Sequence, residues 1–139
     1  MGLRRFFILL VLVPLFTEGQ TVKVTKKNTS IEGETTTGYQ FAVVAPESEV
    51  KTSVNKYLKA MGRTKNSGDY VTVAEPVIGD RRYSETLYAT TRQVGNTTAA
   101  WFGIFPSVGE SAGADKDLEK VAYDFGVYFH REKIQQQIH

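Results

Sequence analysis

Apolar residues along this chain follow three rhythms: one continuous run, alternation with period two, and stripes with a period near 3.6. The continuous run is Phe6 to Phe16, preceded by Arg4 and Arg5 and followed by Thr17-Glu18-Gly19. Alternation comes next, with Val22 and Val24 in a short strand over Gln20–Lys26 and Tyr39, Phe41 and Val43 in a second. Between them, Asn28 to Thr37 is rich in Thr, Gly, Asn and Glu and reads as a turn or loop. Val50, Val54, Tyr57, Leu58 and Met61 then share one helical face, with Pro46 in the first turn, Glu47 and Glu49 at the positive dipole end, and Gly62 placed for a left-handed stop.

Lys65 to Asp69 has turn chemistry, and Tyr70, Val71 and Val73 open a third strand. Pro76 interrupts it and places it at an edge or a bulge, because proline cannot donate to a ladder. Gly79-Asp80 turns into a strand from Tyr83 to Thr91, and Gly95-Asn96 turns again into Thr97–Phe105, the clearest hairpin in the chain. Ser107 to Ala114 is a small-residue connector, and Asp115 is positioned to cap a last helix whose stripe is Leu118, Val121, Ala122, Phe125, Tyr128 and Phe129. The order is ββαβββα. The expected class is α+β: a mostly antiparallel sheet with two helices packed on it, the last one extended.

The apolar run decides the compartment. A short basic start, 11 apolar residues and small residues ahead of Gln20 form the layout of a secretory signal peptide, and a spanning helix needs about 20 residues. The expected organisation is therefore a signal peptide at 1–19, a single domain at 20–131, and a helix extension at 132–139 able to act as a coiled-coil stem. Export to a periplasm or the exterior, with no permanent membrane anchor, makes chemistry driven by cytosolic nucleotides an unpromising reading. The chain has no cysteine, so neither a lipid anchor at the cleavage site nor a disulfide is possible. Small exported domains without disulfides point to a bacterial source. Removing Arg4, Arg5 and Glu18 from a chain of net charge +2 leaves +1, too near neutral for a grip on nucleic acid. Lys23, Lys26 and Lys27 read as the solvated side of an edge strand.

Candidate chemistry is sparse. Gly109-Glu110-Ser111-Ala112-Gly113 matches the nucleophile-elbow pattern G-x-S-x-G, but the elbow must leave a strand directly and needs its acid and histidine on later loops. Here Pro106 intervenes, and Asp124 and His130 lie on one helix about 600° apart. Ser111 is read as part of a linker. Two histidines and no cysteine give no metal-ligand spacing, so no metal, cofactor or catalytic residue is expected, and the protein is read as a non-enzyme.

Aromatic residues are the remaining handle. Trp101, Phe102 and Phe105 on one strand, with Tyr83 and Tyr88 opposite, put rings on both faces of the hairpin, and an open face would make an interaction surface. On the last helix a second stripe of Tyr123, Val127, Ile134 and Ile138 follows spacings of 4, 7 and 4. Val127, Ile134 and Ile138 fit a heptad seam. The candidate interaction surface is thus Tyr83, Tyr88, Trp101, Val127, Ile134 and Ile138.

The export signal, the segment Thr21 to Thr29 with Ile31 to Glu34, the segment Val54 to Gly62, and the closing Tyr123 to Ile134 together resemble uncharacterised exported (periplasmic) proteins of Bacteroidetes-type bacteria. The resemblance covers most of the exported part, implies source and compartment, and brings no site residues. Two functions are expected from the chain. The first is a non-enzymatic exported domain or envelope structural component acting by protein–protein contact, with a partner or by self-association through the C-terminal helix. The alternative is a small-ligand or glycan-binding module using the aromatic hairpin or a sheet–helix groove.

Overall fold

The computed structural model describes residues 22–105 and 112–138. The expected signal peptide, Ser111 and the side chain of Ile138 lie outside the described residues. Among those residues the elements are β1 (Val24–Ile31), β2 (Glu34–Val44), α1 (Glu47–Leu58), β3 (Thr64–Ser67), β4 (Tyr70–Ala74), β5 (Val77–Ile78), β6 (Arg81–Arg82), β7 (Thr86–Val94), β8 (Thr97–Phe105) and α2 (Ala112–Ile138). Six strands form one antiparallel sheet in the order β1-β2-β8-β7-β4-β3, and β5 with β6 makes a separate ribbon. This is the expected α+β class, with both helices on one face of the sheet.

The helix stripes do what their spacing requires. Val50, Val54 and Leu58 of α1 and Leu118, Val121, Ala122, Phe125 and Phe129 of α2 are buried against Phe41, Val71, Val73, Leu87, Ala89, Phe102 and Ile104 from the sheet. Phe125 is the hub: its ring centroid lies 5.4 Å from Tyr57, 5.6 Å from Phe102, 5.9 Å from Phe41 and 6.1 Å from Phe129. Such edge and tilted contacts add to the free energy of burial itself. Gly126 lets α2 approach β2, since a Cβ there would sit 2.9 Å from Phe41 Cδ1 and Cε1. The Tyr57 hydroxyl donates to Val121 O at 2.9 Å and locks the two helices together. Burial pushes its pKa well above the ordinary tyrosine value.

Several boundaries differ from the sequence reading. The first strand runs to Ile31, and the second begins at Glu34, so most of the segment expected as loop is hairpin strand closed by Glu32-Gly33. Both turn residues have positive φ, 49° and 85°, the backbone of a tight two-residue turn whose twist matches the strands. Thr29, Thr36 and Thr37 suit a pleated ladder as well as a loop, so composition alone misled. Lys65–Ser67, expected as turn, belongs to edge strand β3, which pairs with β4. As a result β4 is interior, and Pro76 lies beyond its end rather than at an edge or bulge within it.

The two helix ends also differ. α1 finishes at Leu58 with Lys59 in right-handed conformation, and Gly62 has φ 151°, so it is not the left-handed cap. Pro46 offers no side-chain cap, and the Glu47 N–H instead donates to Gln93 Oε1 on β7 at 2.9 Å. α2 starts at Ala112, which places Asp115 inside its first turn rather than at its cap. No helix among the described residues is long and apolar enough to cross a membrane.

Candidate functional site

The sheet is strongly curled, and its helix-free face is the inside of the curl. In a flat sheet β1 and β4 would be four strand steps apart, about 19 Å. Yet the Tyr70 hydroxyl on β4 reaches Ser30 O on β1 at 3.4 Å, and the Tyr88 hydroxyl on β7 donates to Glu32 Oε2 at 3.2 Å. The β1–β2 turn therefore arches over one end of the concave face and buries Ile31 and Thr36 beneath it. Burial first, and the Glu32 carboxylate second, raise the Tyr88 pKa.

Trp101 sets the floor. Its position on β8 pairs with Gln40 on one side and Thr90 on the other, and the next open-face row toward the closed end is Gly38–Gly103–Tyr88. The indole lies across those two glycines: a Cβ on Gly38 would be 2.6 Å from Trp101 Cε2, and one on Gly103 2.7 Å from Cζ2. The ring is 3 % exposed, and its Nε1 donates to Lys27 O at 2.9 Å. Strand glycines often mark a close approach of this kind. Tyr70, Tyr88 and Phe105 stand edge to face beside it, with centroids 5.5 and 5.9 Å apart.

Beyond Trp101 the concave face opens into a trough of about 790 Å³. Short side chains form its floor, Ala42, Thr90, Thr97 and Ala99, with Gln40 beside them. Lys27 and Thr29 of β1 make one wall, Arg92 of β7 and the Asp69-Tyr70 turn the other, and Glu47 and Val94 stand at the mouth. Thr90 Oγ1 is spent on Asp69 O at 3.1 Å, and Thr91 Oγ1 donates to Glu47 Oε2 at 3.2 Å. Lys27, Arg92 and the Asp69 carboxylate have no ion-pair partner among the described residues. The trough thus offers donors and acceptors of both signs around a shallow floor.

The six residues singled out from sequence are spread over different places. Trp101 and Tyr88 share the concave face, but Trp101 is a buried floor residue and not an exposed patch. Tyr83 is not on the hairpin: β7 begins at Thr86, and Tyr83 lies in the preceding loop, 6 % exposed, its hydroxyl donating to Asp117 on α2. Burial, then the Asp117 hydrogen bond, push its pKa up to about 12. Val127 and Ile134 sit on the outer face of α2 with Tyr123. Sequence reasoning missed Gln40, Arg92, Asp69 and Ala99. The available signal was the run of small residues Thr97–Ala100 ahead of a lone tryptophan and Gly103.

Among the described residues no group of three or more His, Cys, Asp or Glu could hold a metal ion. Comparison with protein-family models, with curated proteins and with solved structures finds no match to this chain.

Proposed function

We propose that this protein is an exported, non-enzymatic binding domain whose concave sheet face holds a small polar ligand, with a neutral glycan segment the class that fits best. The observation that carries this reading is the trough beside Trp101, whose volume falls within the ~300–1,000 Å³ of small-molecule sites. Its lining mixes Lys27 and Arg92 with Asp69 and Glu47, so the charges balance and no ion of either sign is favoured. The Gln40 amide can both donate and accept, and the Thr90 and Thr97 hydroxyls, whose protons go to Asp69 O and Asn96 Oδ1, keep lone pairs that can accept, which matches a ligand rich in hydroxyl groups. The short floor lets a ring lie close to the sheet. The lining carries no histidine or cysteine, and its carboxylates have no arrangement that points to a reaction.

Trp101 is the only tryptophan in the chain and forms the inner end of the trough, so it reports on occupancy. Titration with chitotetraose and maltotetraose should change its fluorescence and move the amide signals of Thr90, Thr97 and Ala99. Saturating sugar with neither change would end the glycan reading. Protein–protein contact through α2, with a partner or with a second copy, is the second reading, favoured by the exposure of Tyr123 and Ile134 on one helix face.

A further inference from the structure

We infer that the outer face of α2 is a self-association surface on which two copies of this chain pair with their α2 helices antiparallel, centred on Val127. Tyr123, Val127 and Ile134 fall within about 40° of arc on the helix. Tyr123 is 48 % and Ile134 44 % exposed, and they are the large apolar side chains of α2 left uncovered among the described residues. With Val22 and His130 they line a groove of about 390 Å³ alongside the helix.

The charges on this face choose the occupant and its direction. Lys120 and Arg131 flank the apolar centre, and Asp124 adjoins it, bonded to Lys120 at 2.6 Å. A parallel pair of identical helices sets each residue level with its own copy, so Arg131 would lie about 10 Å along the axis from Asp124 of the other copy and farther still from its Tyr123, and would have no complementary partner. An antiparallel pair about Val127 brings residues whose numbers are equally distant from 127 together. Arg131 then faces Tyr123 of the other copy, a cation over an aromatic ring, with Asp124 of that copy beside it. The Lys120 stem meets Ile134, and Val127 meets itself. A single surface that is complementary to itself under a two-fold rotation is what a closed dimer requires. This inference is independent of what the trough holds.

Because the chain has no cysteine, single-cysteine variants give a clean test. Tyr123→Cys and Arg131→Cys proteins should be prepared separately, mixed and oxidised mildly, since a disulfide needs Cα atoms within ~7 Å. The antiparallel pair predicts a mixed disulfide between the two variants, in roughly tenfold excess over either homodimer. Because each substitution removes half of the ring–cation contact, the wild-type mass is measured in parallel by sedimentation equilibrium and should be that of a dimer. Ile134→Glu should lower that mass to the monomer with an unchanged circular-dichroism melt. Homodimers from each variant alone would overturn the antiparallel arrangement. A wild-type chain that is monomeric at millimolar concentration would overturn self-association and assign this face to a different partner.

Discussion

On the helix-covered face of the sheet, Phe41, Phe102 and Leu87 pack against Phe125, Val54 and Leu58. On the same strands Gln40, Thr90 and Ala99, at positions of the opposite parity, turn the other way and line the trough. Alternation with period two separates a dry side from a wet one. The difference between the faces is one of obligation. The covered face must bury apolar area to hold the fold, whereas the concave face needs only the aromatic cluster at its closed end to keep the curl. The trough residues are therefore the ones that can change without cost to folding, and they are where ligand recognition is best sought.

The largest expected effect tests the covered face. Phe125→Ala removes the ring on which five others converge and should cost about 3–5 kcal/mol, the usual range for a core aromatic. That is a large part of a typical ~5–15 kcal/mol domain stability. The denaturant midpoint measures it. A loss below about 1 kcal/mol would show that α2 is not the keystone of this side.

Next comes the closed end of the concave face. Gly103→Val places a branched side chain where the Trp101 indole lies, and overpacking of this kind costs about 1–3 kcal/mol. The displaced indole should also lose its bond to Lys27 O and shift its emission to longer wavelength. Unchanged stability and emission together would mean that the ring does not need the glycine pair.

The helix stripes were legible because a buried helix face repeats locally: Val50, Val54 and Leu58, or Leu118, Phe125 and Phe129, declare themselves within a few turns. The hairpin from Thr86 to Phe105 was legible for the same reason, through Gly95-Asn96 and alternation. The trough was not. It depends on Gly38 and Gly103 being partners across β2 and β8, 65 positions apart, which is a fact of register. It also depends on sheet curl, which is a sum of twists and bulk over six strands. Thr-rich Asn28–Thr37 was ambiguous in itself, since threonine favours strands and turn-like caps alike. Tyr83 reads as part of the hairpin because it continues the apolar pattern ahead of Leu87, yet a bend at Ser84 and Glu85 interrupts the chain and the strand begins only at Thr86.

A smaller effect concerns pH. Tyr83 holds its proton more tightly when folded, with a pKa of about 12 against the ordinary 10. Its contribution is fully present below pH 10. Between pH 10 and 12 the unfolded chain releases this proton and the folded chain keeps it, so stability falls as pH rises. Tyr57 and Tyr88 are shifted in the same direction and add to the slope. Tyr83→Phe should flatten the decline in that window relative to wild type, read from urea midpoints at pH 9.5, 10.5 and 11.5. An identical slope in both proteins would remove Tyr83 from the account.

The smallest expected change in stability, and the sharpest contrast between the faces, is at Arg92. Its side chain is exposed on the trough wall and has no ion-pair partner among the described residues, so Arg92→Ala should move the denaturant midpoint by no more than ~0.5 kcal/mol. If the trough holds a glycan, the same substitution removes a charged donor, and hydrogen bonds to charged groups contribute about 1.5–3 kcal/mol. Binding in the Trp101 titration should then weaken about tenfold or more, with the fold intact. Arg92→Lys should recover only part of this, because an ammonium lacks the planar fork of the guanidinium. Equal binding by all three proteins would place the ligand elsewhere and leave the concave face a structural surface. A large stability loss on Arg92→Ala would be equally damaging, since it would show that the open face is as obligate to folding as the covered one.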